Sequence, residues 1–248
     1  MQSHDSQPQS VLEVAGLCKS FAGLKAVNDV SFTVRSGEIL GLIGPNGSGK
    51  TTLVNVITGL LPASSGTVSV DGYVTSGRKP HRVARAGIAR TFQTIRLFRE
   101  LTVLENVEVA AVSMGASRRA AAATAKRLLD DMGLSAWAEV LGAEIPFGHQ
   151  RKLEIARALA TEPKFLFLDE PAAGLNEDES DLLNELLREI PSRYGVGLIV
   201  IEHDMRLMMA LCPRLHVLNY GQTITEGTPA EVRSNPEVVS AYLGSSAS

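Results

Sequence analysis

Cysteine is almost missing from this 248-residue chain: Cys18 and Cys212 lie far apart and form no CxxC or Cys/His cluster. That excludes a disulfide scaffold or a zinc module and suits two partly buried thiols in a reducing cytosol. No apolar run approaches the roughly 20 residues that a membrane-spanning helix needs. The longest candidates, Ile39 to Gly44 and Gly195 to Ile201, have strand length. An excess of charge of one sign is missing too. Lys and Arg number 24 against 27 Asp and Glu, a formal net charge of −3, so there is no basic field of the kind nucleic-acid binders carry. Met1 to Ser10 is polar, with neither a basic n-region nor an apolar h-region, and predicts a disordered tail over 1–10 and no secretion signal. The remaining composition, 44 % hydrophobic and 21 % charged, is that of an ordinary globular chain, long enough for one α/β domain with an insertion.

Along the chain, Val11 to Phe21 and Ala26 to Val34 predict two strands joined at Ala22-Gly23. Glu38 to Ile43 is apolar without alternation, as in a strand buried on both faces. A Gly-rich loop and a helix over Lys50 to Leu60 follow, then a strand over Gly66 to Val70 closed by Asp71-Gly72. From about 94 to 150 the texture turns helical: Thr102 to Val112, then the Ala-rich Arg118 to Met132, stopped at Gly133. Arg151 to Ala160 predicts another helix and Phe165 to Leu168 another buried strand. Asp181 to Ile190 predicts an amphipathic helix with Leu182, Leu183, Leu186, Leu187 and Ile190 on one stripe. Leu198 to Ile201 is a further buried strand, Arg214 to Thr225 a hairpin turning at Tyr220-Gly221, and Pro236 to Leu243 a closing helix. The expected organisation is therefore one α/β domain over 11–244 with a helical insertion at about 94–150, and a short tail over 245–248.

Gly44-Pro45-Asn46-Gly47-Ser48-Gly49-Lys50-Thr51 matches G-x-x-x-x-G-K-[ST], between a buried strand and a helix as that motif requires. Glycine lets the loop approach phosphate closely enough for backbone N–H groups to reach its oxygens, and the helix N-terminus adds positive potential. Lys50 supplies a mobile charge for the β- and γ-phosphates, Thr51 offers a hydroxyl to Mg²⁺, and Thr52 completes the candidate nucleotide-binding set. A second element is Phe165-Leu166-Phe167-Leu168-Asp169-Glu170, an apolar strand ending in two carboxylates. Ligands of open α/β sheets bind at the C-terminal edge of the strands. Asp169 is therefore expected to serve the metal shell and Glu170 to orient an attacking water. His203 ends the neighbouring strand, from where its imidazole can reach a γ-phosphate or can be simply structural.

In order along the chain, these residues resemble the nucleotide-binding subunit of ATP-binding cassette transporters. The resemblance implies a P-loop NTPase core, with a mostly parallel sheet, an antiparallel β subdomain and an inserted helical subdomain. It implies ATP and Mg²⁺ as ligands. It places Phe21 where an aromatic stacks on adenine, Gln93 of Arg90-Thr91-Phe92-Gln93 between Mg²⁺ and water, and His203 as the switch histidine. Pro171 to Asn176 falls where a loop crosses the dimer interface. The signature before the last helix of the insertion reads Ile145-Pro146-Phe147-Gly148-His149 in place of leucine-serine-glycine-glycine-glutamine. Pro146 has neither the serine hydroxyl nor an N–H, leaving the helix start and the Gly148 and His149 amides to meet the nucleotide of a second subunit.

Thr91 to Phe98, Leu101 to Val107, Ile201 to Met205 and Asn235 to Gly244 resemble the branched-chain amino acid importer branch, with urea, amide and lipid transporters as cousins. The implied partners are a second ATPase subunit, identical or paralogous, membrane permease subunits and, indirectly, a solute-binding protein outside the cell, with no nucleic acid. The implied place is the cytoplasmic face of the membrane, peripherally bound. Two rival readings are a soluble ATPase of the same family acting on nucleic acid or ribosomes, and a phosphate-loop kinase or GTPase, which leaves Ile145 to Leu159 unexplained.

Overall fold

The structure is a computed structural model describing residues 9–244. The expected tails therefore lie outside the described residues, apart from Gln9 and Ser10. Ser10 is no loose end, since its N–H donates to Ser36 Oγ at 3.0 Å. β1 (Val11–Phe21) and β2 (Leu24–Arg35) form a hairpin across Ala22-Gly23, both with positive φ. β3 (Ile39–Ile43) is buried at every residue and leads through the Gly-rich loop into α1 (Lys50–Ile57). That helix stops short of the expected Leu60 because Gly59 turns to φ 76° and the Leu60 and Leu61 N–H groups both close on Asn55 O.

β4 (Ser65–Val70) and β5 (Tyr73–Val74) follow, then α2 (Pro80–Arg85) and β6 (Ile88–Arg90). β5, α2 and β6 went unforeseen, being too short to display a period. α3 (Val103–Ser113) starts with a Thr102–Glu105 capping box and α4 (Arg118–Asp131) with a Ser117 cap, a sequence-local reason for each start. α5 (Phe147–Leu159) begins four residues before the expected Arg151. β7 (Phe165–Asp169) precedes α6 (Glu177–Tyr194), which an Asn176–Glu179 capping box starts earlier than expected and left-handed Gly195 ends. β8 (Gly197–Ile201), the Asp204-capped α7 (Met205–Leu211), β9 (Arg214–Asn219), β10 (Gln222–Gly227), α8 (Pro229–Ser234) and α9 (Pro236–Gly244) complete the chain. α7 and α8 were not foreseen.

The strands build two sheets. One is antiparallel, in the order β2-β1-β4-β5; the other runs β10-β9-β3-β8-β7-β6, parallel from β9 to β6 with β10 an antiparallel edge. This is the expected α/β architecture. One apolar cluster fills the space between the sheets and α1, with Phe32, Leu42, Leu53, Val68 and Phe167 among its members. The other joins the opposite face of the large sheet to α3, α4, α5 and α6, each fully buried Leu or Val contributing about 1.5–3 kcal/mol. Leu183, Leu187 and Ile190 supply the buried stripe of α6, at spacings of four and three residues. Leu182 is 58 % exposed and does not belong to that stripe. Cys18 is half-buried and Cys212 buried; burial alone pushes the Cys212 thiol up to about 12.

The large sheet aims the C-terminal ends of β3, β7 and β8 at one edge, where the Gly-rich loop, the Asp169-Glu170 pair and His203 emerge.

Candidate functional site

The loop after β3 is shaped by two glycines that nothing larger can replace. Gly44 has φ 151° and an added Cβ there would lie 2.1 Å from Leu218 O; Gly49 has φ 103° and its Cβ would lie 2.4 Å from Ala26 O. Behind the loop, Gly221 N–H donates to Ser48 O and Asn28 N–H to Gly221 O, both at 2.8 Å, so β2 and the β9–β10 turn brace it. Ser48 is buried, Pro45 and Gly49 half-buried, Asn46 and Gly47 exposed. Lys50 Nζ donates to Gly44 O at 2.6 Å and Pro45 O at 2.9 Å. Burial lowers the Lys50 pKa, while Glu170 and Asp169 favour its charged form. Thr51 is exposed and Thr52 half-buried on the first turn of α1. Phe21, at the tip of β1, is 43 % exposed, with Lys19 Nζ 4.9 Å from its ring centre.

Asp169 closes β7 and is buried. Arg90 Nη2 donates to its Oδ2 at 2.9 Å, and Arg90 Nη1 donates to Asn55 Oδ1 at 2.6 Å and Thr58 Oγ1 at 3.2 Å, tying β6, β7 and α1 together. Burial raises the Asp169 pKa, Arg90 opposes that rise and Glu170 adds to it. Glu170 has φ 47°, a left-handed conformation unusual outside glycine, and its N–H donates to Ile201 O at 2.8 Å. That turn re-aims its carboxylate: Gln93 Nε2 donates to Oε2 at 2.7 Å, and His203 Nδ1 stands 3.9 Å from Oε1. His203 is exposed. Gln93, Glu170 and His203, from three separate segments, thus meet at one edge with the loop and Asp169.

Phe147, Gly148 and His149 are not part of that meeting. Among the described residues no hydrogen bond, ion pair or ring contact joins them to the 44–51 loop. α5 starts behind Pro146 without a side-chain cap, and Phe147 is 46 % exposed beside Gly174. The His149 N–H, expected to face a phosphate, instead donates to Pro146 O at 2.9 Å, a 3₁₀-type bond closing the first turn. Its ring tilts against Trp137 with centres 5.2 Å apart, and burial and Lys152 lower its pKa. Gly148 lies where an added Cβ would come within 3.2 Å of Glu179 Oε1.

Four residues of this region escaped the sequence reading. Arg90 pairs with Asp169 across two parallel strands. Glu202, buried with its pKa raised by burial, accepts the Ala172 N–H at 2.9 Å and the His203 N–H at 3.2 Å. Arg151 is fully buried and donates to Phe92 O and Gln93 O, each at 3.1 Å, to Ala173 O at 3.4 Å and to Glu154 Oε2 at 3.1 Å. Glu154 in turn accepts the Phe92 N–H at 3.3 Å. The Arg151–Glu154 pair couples α5 to the Gln93 segment and to the loop after β7. Its one sequence signal was a charged pair at i, i+3 on a helix that is otherwise largely buried.

The edge thus brings together a Gly-rich loop with the Lys50 ammonium, the carboxylates of Asp169 and Glu170, and the His203 imidazole. Among the described residues no cluster of three or more His, Cys, Asp or Glu side chains could hold a metal by itself. The oxygen donors that Thr51, Gln93 and Asp169 carry are of the hard kind Mg²⁺ takes together with nucleotide phosphates.

Comparison with known proteins agrees. Residues 27–173 match the family described as ABC transporter, and residues 222–248 the family described as branched-chain amino acid ATP-binding cassette transporter. A high-affinity branched-chain amino acid transport ATP-binding protein, LivG of Salmonella typhimurium, is 43 % identical over 95 % of this chain and 98 % of its own. The corresponding BraF of Pseudomonas aeruginosa is 40 % identical over 94 % and 98 %. An ABC transporter ATP-binding cassette crystallised in its ADP conformation superposes with a TM-score of 0.85 at 32 % identity, covering 95 % of this chain and 99 % of that one.

Proposed function

The chain belongs to the ABC transporter family as an ATP-binding and ATP-hydrolysing subunit, and from that premise we propose that it drives import of branched-chain amino acids as one half of a head-to-tail pair. In this reading ATP lies between the 44–51 loop of one chain and the α5 start of a second ATPase chain, identical or paralogous. The loop amides and Lys50 bind the phosphates, with Phe21 against the adenine. Thr51, Gln93 and Asp169 would hold Mg²⁺ together with the phosphates, and the ion would there supply neutralisation of the charge on the departing phosphoryl group. Glu170, fixed by Gln93, orients a water for in-line attack on the γ-phosphate and takes its proton, and His203 faces the same phosphate. Hydrolysis removes the group that bridges the two chains, and they part. Membrane permease subunits dock on the helical insertion, about 94–150, near Gln93, at the cytoplasmic face, and a solute-binding protein delivers the cargo to them.

The observation that carries the reading is the convergence of Gln93, Glu170 and His203 beside the loop, while the α5 start of the same chain stays out of contact with it. One chain supplies the chemistry and leaves the outer side of the phosphates to another. Glu170→Gln preserves shape and removes the base, so turnover should fall by roughly 10²–10⁴-fold. With ATP the variant should elute from a sizing column as a dimer. Normal turnover, or a monomer with ATP bound, would overturn it. Stimulation of the ATPase by leucine, isoleucine or valine in the reconstituted permease complex tests the cargo, with urea, amides and lipid as the contrasting arms.

A further inference from the structure

The densest run of positive charge in the chain lies on α2 and the turn before it, and the hydrolysis scheme gives it no task. Arg78, Lys79, Arg82 and Arg85 place four cations in eight residues of a chain whose net charge is −3. All four are exposed, and among the described residues none of them forms an ion pair. Helix electrostatics accounts for only part of the run. Arg82 and Arg85 lie in the last turn of α2, where cations are favoured, but Arg78 and Lys79 precede its first turn, where the free N–H groups disfavour them. Lys79, Arg82 and Arg85 also follow one another at three-residue spacing, so like charges share one stripe and repel. Little inside the chain offsets them. On the cavity wall that Arg82 and Arg85 line, Asp71 is paired with Lys164 at 2.7 Å and Glu162 is the one other acid. Such uncompensated charge points to an anion outside the chain.

The place of α2 narrows the choice. Ala84 and Thr161 line two cavities at once, so the helix is a ridge between them. On one side is a groove of about 620 Å³ lined by Phe92, Arg96 and the exposed Leu60 and Phe98, next to Gln93. On the other, Tyr73 shares the second cavity with Arg82 and Arg85 and is 50 % exposed, and the Arg78 guanidinium carbon lies 5.7 Å from its ring centre. Val74 beside it is exposed as well. An accessible tyrosine and aliphatic side chain beside clustered Arg and Lys is the composition that settles at the headgroup level of a bilayer.

We propose that α2 and the turn before it form a contact surface for anionic phospholipid headgroups, setting the chain against the bilayer at the rim of the groove that receives the permease. The inference rests on the reading that permease subunits dock near Gln93, which turns this ridge towards the membrane. Long, flexible cations on an open ridge suit a layer of mobile phosphates better than a ligand of fixed shape. The net negative remainder of the chain is repelled by the same layer, so the molecule is held with α2 inward. That remainder also disfavours nucleic acid, whose binding needs a wider basic face.

The test is co-sedimentation of the full chain, without nucleotide or permease, with vesicles of phosphatidylcholine alone and of phosphatidylcholine with 30 % phosphatidylglycerol. Wild type should bind the anionic vesicles and leave the neutral ones. Its binding should be lost between 0.1 and 1 M salt, as the screening length falls from about 10 to about 3 Å. Arg82→Gln with Arg85→Gln should lower the partition coefficient roughly ten- to thirty-fold. Arg118→Gln with Arg119→Gln, the same charge change on the exposed start of α4, should lower it less than three-fold, because charges beyond a screening length of the surface contribute little. Equal binding to neutral vesicles, or an equal loss in both double variants, would overturn the proposal. So would an absence of vesicle binding in wild type while the Arg82/Arg85 variant fails to co-purify with the permease, since the cations would then serve a protein partner. If the wild-type chain itself does not co-purify with permease subunits, it is the docking reading that falls, and vesicle binding is read independently of it.

Discussion

At the phosphate-loop end Lys50 already bridges Gly44 and Pro45, and Gln93 Nε2 sits 2.7 Å from the Glu170 carboxylate with His203 close by. At the start of α5 the arrangement is looser: the helix begins on Pro146 with no side-chain cap, its His149 amide already bonded to Pro146 O and Phe147 half in solvent. The two regions face different demands. Groups that stabilise developing charge work best when held before reaction, so burial and strand geometry fix them within the chain. A surface that closes onto a second subunit must stay accessible, and internal contacts there would compete with docking. What links them inside the chain is the buried Arg151–Glu154 pair, which joins the α5 start to the backbone of Phe92 and Gln93. The pair thus ties the exposed end to the segment whose Gln93 side chain donates to Glu170.

The strongest attack on this contrast is Lys50→Ala. It removes the mobile charge on the prebuilt side and should weaken ATP binding by at least about 100-fold, since charge-assisted bonds to phosphate are worth about 1.5–3 kcal/mol each; equilibrium dialysis with ATP reads this directly. Arg90→Met comes next. It leaves Asp169 buried without its partner, and chemical denaturation should show a loss near 3 kcal/mol, the low end of a broken buried pair, because the raised Asp169 pKa eases protonation. If stability is unchanged, the prebuilt side does not depend on the pair. The mildest and sharpest change is Pro146→Ser. As a helix N-cap it should stabilise the free chain by about 1 kcal/mol. If the exposed end limits the reaction through a missing hydroxyl, turnover should also rise roughly ten-fold, the equivalent of about 1.4 kcal/mol. A higher melting temperature without faster turnover would show that this end works through backbone groups alone.

Much of the fold was legible because its signals are short-range. β3 and β8 are uninterrupted apolar runs, β7 is one up to its closing Asp169, and all five residues of each are buried. α6 was recognised by its stripe, yet its start was misplaced because the Asn176–Glu179 box lies outside that stripe. β6 carries three residues and no period, so its Arg90 could not be matched to Asp169. Likewise nothing in the sequence marks Glu202 for burial, since the two backbone N–H groups that make it tolerable come from Ala172, 30 residues away, and from the following turn.

By itself, the sequence determined the phosphate loop, the two acids after β7 and the apolar strands that carry them, since each is written in a few consecutive residues whose conformational needs are local. Tertiary structure alone decided that Gln93, Glu170 and His203 share one point and that Arg90 neutralises an acid 79 residues away. Those meetings follow from which strands lie side by side in the parallel sheet, and strand order is set by crossover packing over long stretches of chain, which leaves no mark on any single segment.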